Sequence, residues 1–97
     1  MKEQLERIKY MEESLDLLTE ALTELEQAAQ RYRLLQPQLK ELISYYEGPL
    51  WRQDFETDEQ GKLPPTLKRG VLSEDGVYNF LSDHEELIKL LKELTEG

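Results

Sequence analysis

Cysteine is absent from this chain, and its five glycines and four prolines all lie beyond residue 36. Without cysteine the fold uses neither a disulfide nor a thiolate metal site. Because glycine and proline weaken or break helices, their absence leaves the first third of the chain free to form one long helix. Where they do occur, as at Gly48-Pro49 and Pro64-Pro65, they predict breaks and turns.

Long apolar runs are also missing. No stretch approaches the roughly 20 apolar residues of a membrane-spanning helix, and no apolar signal region stands near the start. The net charge is −9, spread evenly along the 97 residues, and an acidic surface repels the phosphates of nucleic acids. We therefore expect a cytoplasmic protein that binds neither membrane nor nucleic acid.

What the sequence does contain is a regular apolar pattern over residues 1–36. Apolar side chains recur alternately three and four positions apart, which is the heptad spacing of a coiled coil. The pattern predicts one continuous helix about 50 Å long, longer than a compact domain of this size is wide. The heptad stripe consists of Ile8, Met11, Leu15, Leu18, Leu22, Leu25, Ala29 and Tyr32.

Proline divides the middle of the chain. Pro37 favours a restart of the helix, because proline is suited to the first helical turn, and the apolar face that follows predicts a second helix over 37–47. Gly48-Pro49 is a stop signal. Residues 48–72 show no period and predict an ordered loop, which in so small a domain should pack through its apolar side chains.

Ser73 has the character of a helix N-cap, and the acidic residues after it suit the positive end of a helix dipole. The apolar spacing beyond it predicts a last helix over 73–96, packed antiparallel against the first. Together these elements predict one all-α domain over 1–97. Because no other predicted helix matches the first in length, its stripe predicts a homodimer.

Carboxylates are concentrated in the central loop. Asp54, Asp58 and their neighbours resemble the ligand spacing of a calcium loop, but Pro65 stands where such a loop needs a bidentate glutamate. A formal calcium loop is excluded, and we assign no metal site. The expectation is that these acids are solvated or paired with Lys68, Arg69 and other nearby cations, while a looser metal or anion site stays open.

Two other groups in the loop are candidates for recognition. Trp51 predicts an anchor that packs the loop down with its indole donor satisfied, or an exposed hot spot for a partner. Lys68 and Arg69 precede a helix start and could hold an anion, although pairing of Arg69 with Asp54 or Asp58 is favoured. With Asp75, these residues complete the candidate partner-binding or ligand-binding set: Trp51, Asp54, Asp58, Lys68, Arg69 and Asp75.

Catalysis has no support in the sequence. His84 is the single histidine and falls on the apolar stripe of the last helix, where packing explains it, and no nucleophile and orienting acid accompany it. Ser73 is explained by helix capping. No dinucleotide or paired-histidine motif is present, so we expect neither enzymatic activity nor a cofactor.

The segment from Trp51 to Asp75, with the pattern W-x2-D-x3-DE-x-G-x2-P-x2-LKRGVLSED, resembles a family of small bacterial proteins known only as a domain of unknown function. The resemblance extends over essentially the whole chain. It implies a small bacterial protein and brings no activity with it. The favoured interpretation is a non-enzymatic protein-interaction or structural module, with two alternatives: a protein that binds a small ligand, anion or divalent metal through 51–75, and an acidic mimic of nucleic acid.

Overall fold

The computed structural model describes the whole chain, residues 1–97, and contains helices without any β-strand. The predicted all-α class is confirmed. No helix combines the length and the apolar character needed to cross a membrane. The chain divides into two compact units, Met1–Lys40 and Glu41–Gly97. Its elements are α1 (Lys2–Leu34), α2 (Gln36–Glu47), α3 (Pro49–Glu59), a 3₁₀ turn (Gly70–Leu72) and α4 (Gly76–Glu96).

The first unit consists of α1 and the beginning of α2. The helices are separated at Leu35, whose amide donates hydrogen bonds to the carbonyls of Arg31 and Tyr32. Pro37 follows in the first turn of α2, where a missing amide hydrogen costs least. The break in the structure thus lies one to two residues before the predicted boundary between residues 36 and 37, since α1 ends at Leu34 and α2 begins at Gln36. No residue of α1 is buried.

The second unit is built around the 3₁₀ turn, which both α3 and α4 contact. The most buried side chains of the molecule are Leu72 in that turn and Val77 in the first turn of α4, with exposures of 6% and 4%. Of the residues expected to pack the loop down, Leu72 is the one that becomes buried. Leu50 and Leu67 stay exposed.

The expectation of a loop over 48–72 is wrong for its first half, because residues Pro49–Glu59 form α3. Both ends of this helix have sequence signals. Pro49 occupies the first helical turn, where its fixed φ is suited to the helix. Gly61 follows the last turn at φ 69°, a left-handed conformation that glycine adopts without steric cost.

Hydrogen bonds at the end of α3 form a complete Schellman motif. The amide of Lys62 donates to the carbonyl of Thr57 at 3.2 Å, and the amide of Gly61 donates to that of Asp58 at 2.9 Å. These two bonds satisfy carbonyls that would otherwise be orphaned at the helix end. Residues 60–69 then connect α3 to the 3₁₀ turn without regular structure.

The start of α4 depends on Ser73 and on two glycines. Ser73 has an extended backbone, and its hydroxyl accepts a hydrogen bond from the amide of Gly76 at 3.1 Å while donating one to the carbonyl of Gly70 at 2.8 Å. The prediction of Ser73 as the N-cap is wrong by two residues, because α4 begins at Gly76 and Asp75 is its N-cap residue. The Ser73 hydroxyl nevertheless satisfies the amide of the first helical residue. A Cβ on Gly76 would lie 2.5 Å from the Gly70 carbonyl oxygen, so only glycine fits there.

Candidate functional site

Trp51 lies in the first turn of α3 and is half-buried. Its indole Nε1 donates a hydrogen bond to the backbone carbonyl of Val71 at 2.9 Å. The ring stacks on Phe55, one helical turn further on, with the centroids 5.2 Å apart and an angle of 17°. Tyr46 of α2 meets it edge to face, also at 5.2 Å. The prediction that Trp51 anchors this segment with a satisfied indole donor is confirmed.

Asp54 lies one turn after Trp51 on α3 and reaches α2. One of its carboxylate oxygens accepts a hydrogen bond from the hydroxyl of Tyr45 at 2.6 Å. Burial, this hydrogen bond and the charge of Asp54 together raise the pKa of Tyr45 to about 12. Each cause acts in the same direction: burial disfavours the charged phenolate, the hydrogen bond to Asp54 favours the protonated phenol, and the Asp54 charge repels a second negative charge.

Asp58 lies one further turn along α3 and pairs with Arg69, just before the 3₁₀ turn. The guanidinium Nη1 donates to the carboxylate Oδ1 at 2.6 Å, with side-chain exposures of 38% for Arg69 and 24% for Asp58. This is one of the two pairings that the sequence favoured. The other acid, Asp54, pairs with a tyrosine instead.

Three side chains at successive turns of α3 thus hold the helix to its surroundings. Asp54 reaches α2, Trp51 reaches Val71 within the 3₁₀ turn, and Asp58 reaches Arg69 just before that turn. We call this set the α3 clamp, and its members are Tyr45, Trp51, Asp54, Asp58, Arg69 and Val71.

The other two candidate residues lie outside the α3 clamp. Lys68 is exposed beside Arg69. Asp75 precedes α4, where its backbone carbonyl accepts a hydrogen bond from the amide of Asn79 at 2.8 Å, and its side chain makes no capping hydrogen bond. The six candidates are therefore not brought together in one site.

The chemistry available to the α3 clamp follows from its contacts. Both carboxylates are already engaged by donors from within the chain, one by a phenol and the other by a guanidinium. Nowhere in the chain do three or more His, Asp or Glu side chains come together in a way that could hold a metal ion. The polar side chains considered for binding an anion or a cation therefore do not form one site, since Asp54 contacts Tyr45 and Asp58 contacts Arg69.

Sequence reasoning missed the role of Tyr45 and of the Val71 carbonyl. The partnership of Tyr45 with Asp54 has no signal in their spacing of nine residues, since α2 and α3 must first turn at Gly48. A backbone carbonyl carries no sequence signal at all. The stacking of Trp51 on Phe55 does have one, because residues four apart on a helix are neighbours.

The chain is thus a small all-α protein in which the residues of the α3 clamp connect α3 to α2 and to the 3₁₀ turn region. The family model for a domain of unknown function (DUF4298) matches residues 8–94, and the chain belongs to that family. The expected resemblance is thereby confirmed at the level of the family. No curated protein and no solved structure matches the chain.

Proposed function

We propose that this chain is a non-enzymatic protein-interaction module that pairs with a second copy of itself through α1. The supporting observation is the exposure of the heptad stripe. The first six residues of the stripe, from Ile8 to Leu25, have side chains that are between 46% and 69% exposed. Continuous apolar surface of this kind marks an interaction site more often than a solvated face.

Properties of α1 itself support the choice of a helical partner. Its 33 residues contain neither glycine nor proline, so the stripe follows one side of the helix without interruption. Alternating spacings of three and four residues suit packing of knobs into holes against a second helix with the same repeat. A second copy of α1 supplies that repeat and that length.

Within the proposal, the α3 clamp is a structural device and not a contact surface for a partner. Its hydrogen bonds are all directed to other parts of the second unit. Alanine at Trp51 or Arg69 should therefore lower stability and leave the subunit number unchanged. We further propose a cytoplasmic location in a bacterium, which fractionation of the host would test.

Native mass spectrometry of the full chain tests the pairing. The wild-type protein should give a species of twice 11.5 kDa, and Leu18→Glu should give the monomer, because a charge would enter the stripe. Leu17→Glu is the matched control: Leu17 is 68% exposed and Leu18 is 69% exposed, but Leu17 lies off the stripe and its variant should stay dimeric.

Three results would contradict the proposal. One is a monomeric wild-type protein at every concentration tested, and another is equal loss of the dimer in the Leu17 and Leu18 variants. The third is a wild-type monomer that carries the added mass of a metal ion, nucleotide or second protein, which would support the ligand-binding alternative.

A further inference from the structure

Two charged residues flank the heptad stripe near the start of α1. Arg7 lies immediately before Ile8, and Glu12 lies immediately after Met11. In heptad terms these are the positions on either side of the apolar seam, where oppositely charged residues of two coiled-coil helices meet. Both side chains are exposed, and neither is in an ion pair within the chain.

We infer that two copies of α1 pair in parallel and in register, an inference that rests on the proposed function. In this arrangement each stripe residue meets its own counterpart. Arg7 then lies beside the partner subunit's Glu12, since a flanking residue contacts the one five positions further along on the other helix. Two-fold symmetry forms this pair twice.

The antiparallel arrangement with full overlap is unfavourable by the same reasoning. Aligning the two stripes end to end in opposite directions places Met11 opposite the partner subunit's Ala29. Glu12 then faces the partner subunit's Glu26, again twice by symmetry. Like charges at these flanking positions oppose pairing, and this is how coiled coils select orientation.

An antiparallel pair can avoid that repulsion by sliding one heptad in either direction. One slide places Glu12 opposite the partner subunit's Thr19, which supplies no opposite charge, and leaves Ala29 and Tyr32 beyond the overlap. The other slide places Glu12 opposite the partner subunit's Arg33, but Ile8 and Met11 would extend beyond the overlap. Both residues are exposed, at 49% and 58%, and would remain so. The parallel arrangement is the one that both covers the whole stripe and brings opposite charges together.

Cysteine cross-linking tests the orientation, because the chain has no cysteine of its own. Met11→Cys should form a disulfide-linked dimer on mild oxidation, since identical positions meet in a parallel pair. In the fully overlapped antiparallel pair these positions would be about 27 Å apart along the axis, far beyond the roughly 7 Å that a disulfide tolerates between Cα atoms. Glu13→Cys, on the outer face, is the control and should remain unlinked.

Each remaining outcome has a distinct meaning. If Met11→Cys links only when mixed with Ala29→Cys, the pair is antiparallel and fully overlapped; the orientation is then wrong and the proposed dimer stands. A native mass spectrum showing a dimer that links in neither case also overturns the parallel register. If the protein is monomeric, the proposed function itself fails.

Charge reversal provides a second, independent readout. Arg7→Glu should raise the dissociation constant of the dimer by about tenfold, because both attractive pairs of the dimer become repulsive. A tenfold change corresponds to only a small free energy, which two such pairs can supply. The double variant Arg7→Glu with Glu12→Arg should recover most of that loss. If the double variant is as weak as the single one, these residues do not meet and the parallel register is overturned.

Discussion

The indole of Trp51 and the backbone carbonyl of Val71 are joined by a 2.9 Å hydrogen bond between residues twenty positions apart. This contact connects the first turn of α3 to the 3₁₀ turn that precedes α4. One side chain thereby fixes the path of a connection that has no regular structure between residues 60 and 69.

Removing this hydrogen bond while keeping an aromatic ring at position 51 should destabilise the fold. We expect Trp51→Phe to lower the free energy of unfolding by at least about 1 kcal/mol, the typical net value of one hydrogen bond, because the smaller ring also loses part of its packing on Tyr46 and Phe55. Urea unfolding followed by circular dichroism measures it. Tyr78→Phe, which removes a hydroxyl from an exposed aromatic residue, should change little. Equal losses in the two variants would show that the Val71 contact does not contribute.

The ion pair between Asp58 and Arg69 should show measurable coupling in a double-mutant cycle. Asp58→Asn and Arg69→Gln should together give a coupling free energy of about 1 kcal/mol, at the upper end for pairs that are partly solvated. The value should fall as salt is added, because exposed charges are screened.

The chain contains its own control for this cycle. Glu86 and Lys89 of α4 form a pair at 3.5 Å with side-chain exposures of 72% and 70%. Their longer distance and greater exposure predict a coupling close to zero in the same experiment. A coupling free energy for Asp58 and Arg69 no larger than this one would show that their ion pair does not stabilise the α3 clamp.

The helical class could be predicted from the sequence because it depends on periodicity. The heptads of α1 and the apolar spacing of α4 are local patterns, and the helices lie where these patterns place them to within a few residues. Pro37 likewise identifies the division between α1 and α2, since the absence of an amide hydrogen acts locally.

The sequence does not predict α3, because the apolar pattern of this helix is short and the signals at its two ends are ambiguous. Gly48-Pro49 indicates the end of one helix, although the same proline begins the next. Gly61 is typical of a loop, although it terminates α3. With eleven residues between these signals, Trp51 and Phe55 complete a helical face too short to stand out by period alone.

Among the contacts of the candidate site, some could be predicted from the sequence and others could not. Pairing of Arg69 with a carboxylate of the preceding segment could be predicted, because opposite charges close in sequence meet readily. Which carboxylate it meets depends on the turn geometry after Gly61. The pairing of Asp54 with Tyr45 depends on how α2 and α3 turn at Gly48, a tertiary property without a local signal.

Gly76 should be intolerant of even one methyl group. Helix propensity alone would favour alanine at this position in α4 by about 1 kcal/mol. Because the new Cβ would lie 2.4 Å from the Ser73 hydroxyl and 2.5 Å from the Gly70 carbonyl oxygen, we expect Gly76→Ala to destabilise the protein by about 1 to 3 kcal/mol. Thermal or urea unfolding measures the difference.

Gly70→Ala is the matched control for Gly76→Ala. A Cβ on Gly70 would have no heavy atom within 4 Å, and its φ is not in the left-handed region. Its substitution should change stability by less than about 0.5 kcal/mol, or raise it slightly by restricting the unfolded chain. A stabilised Gly76→Ala variant would mean that the start of α4 rearranges freely, and that the close approach to Gly70 has no structural role.

Tyr45 should ionise late in an alkaline titration. Its pKa is raised to about 12 from the ordinary 10.0 by burial, by its hydrogen bond to Asp54 and by the charge of that carboxylate. Because the folded state holds the proton more tightly than the unfolded state, this group stabilises the fold fully below pH 10. That contribution is lost as the pH rises from 10 through about 12. Removing Tyr45 should therefore flatten the alkaline decline in stability over this window.

Absorbance of tyrosinate, taken as the difference between wild type and Tyr45→Phe, isolates this one group among the five tyrosines. The difference curve should have its midpoint near pH 12. In an Asp54→Asn background the midpoint should fall below that of the first curve but stay above the ordinary 10.0, because the negative charge is gone while burial, the largest cause of the shift, remains. A difference curve centred at pH 10 in both backgrounds would show that Asp54 does not affect the ionisation of Tyr45. The hydrogen bond between these residues would then not explain the contact between α2 and α3.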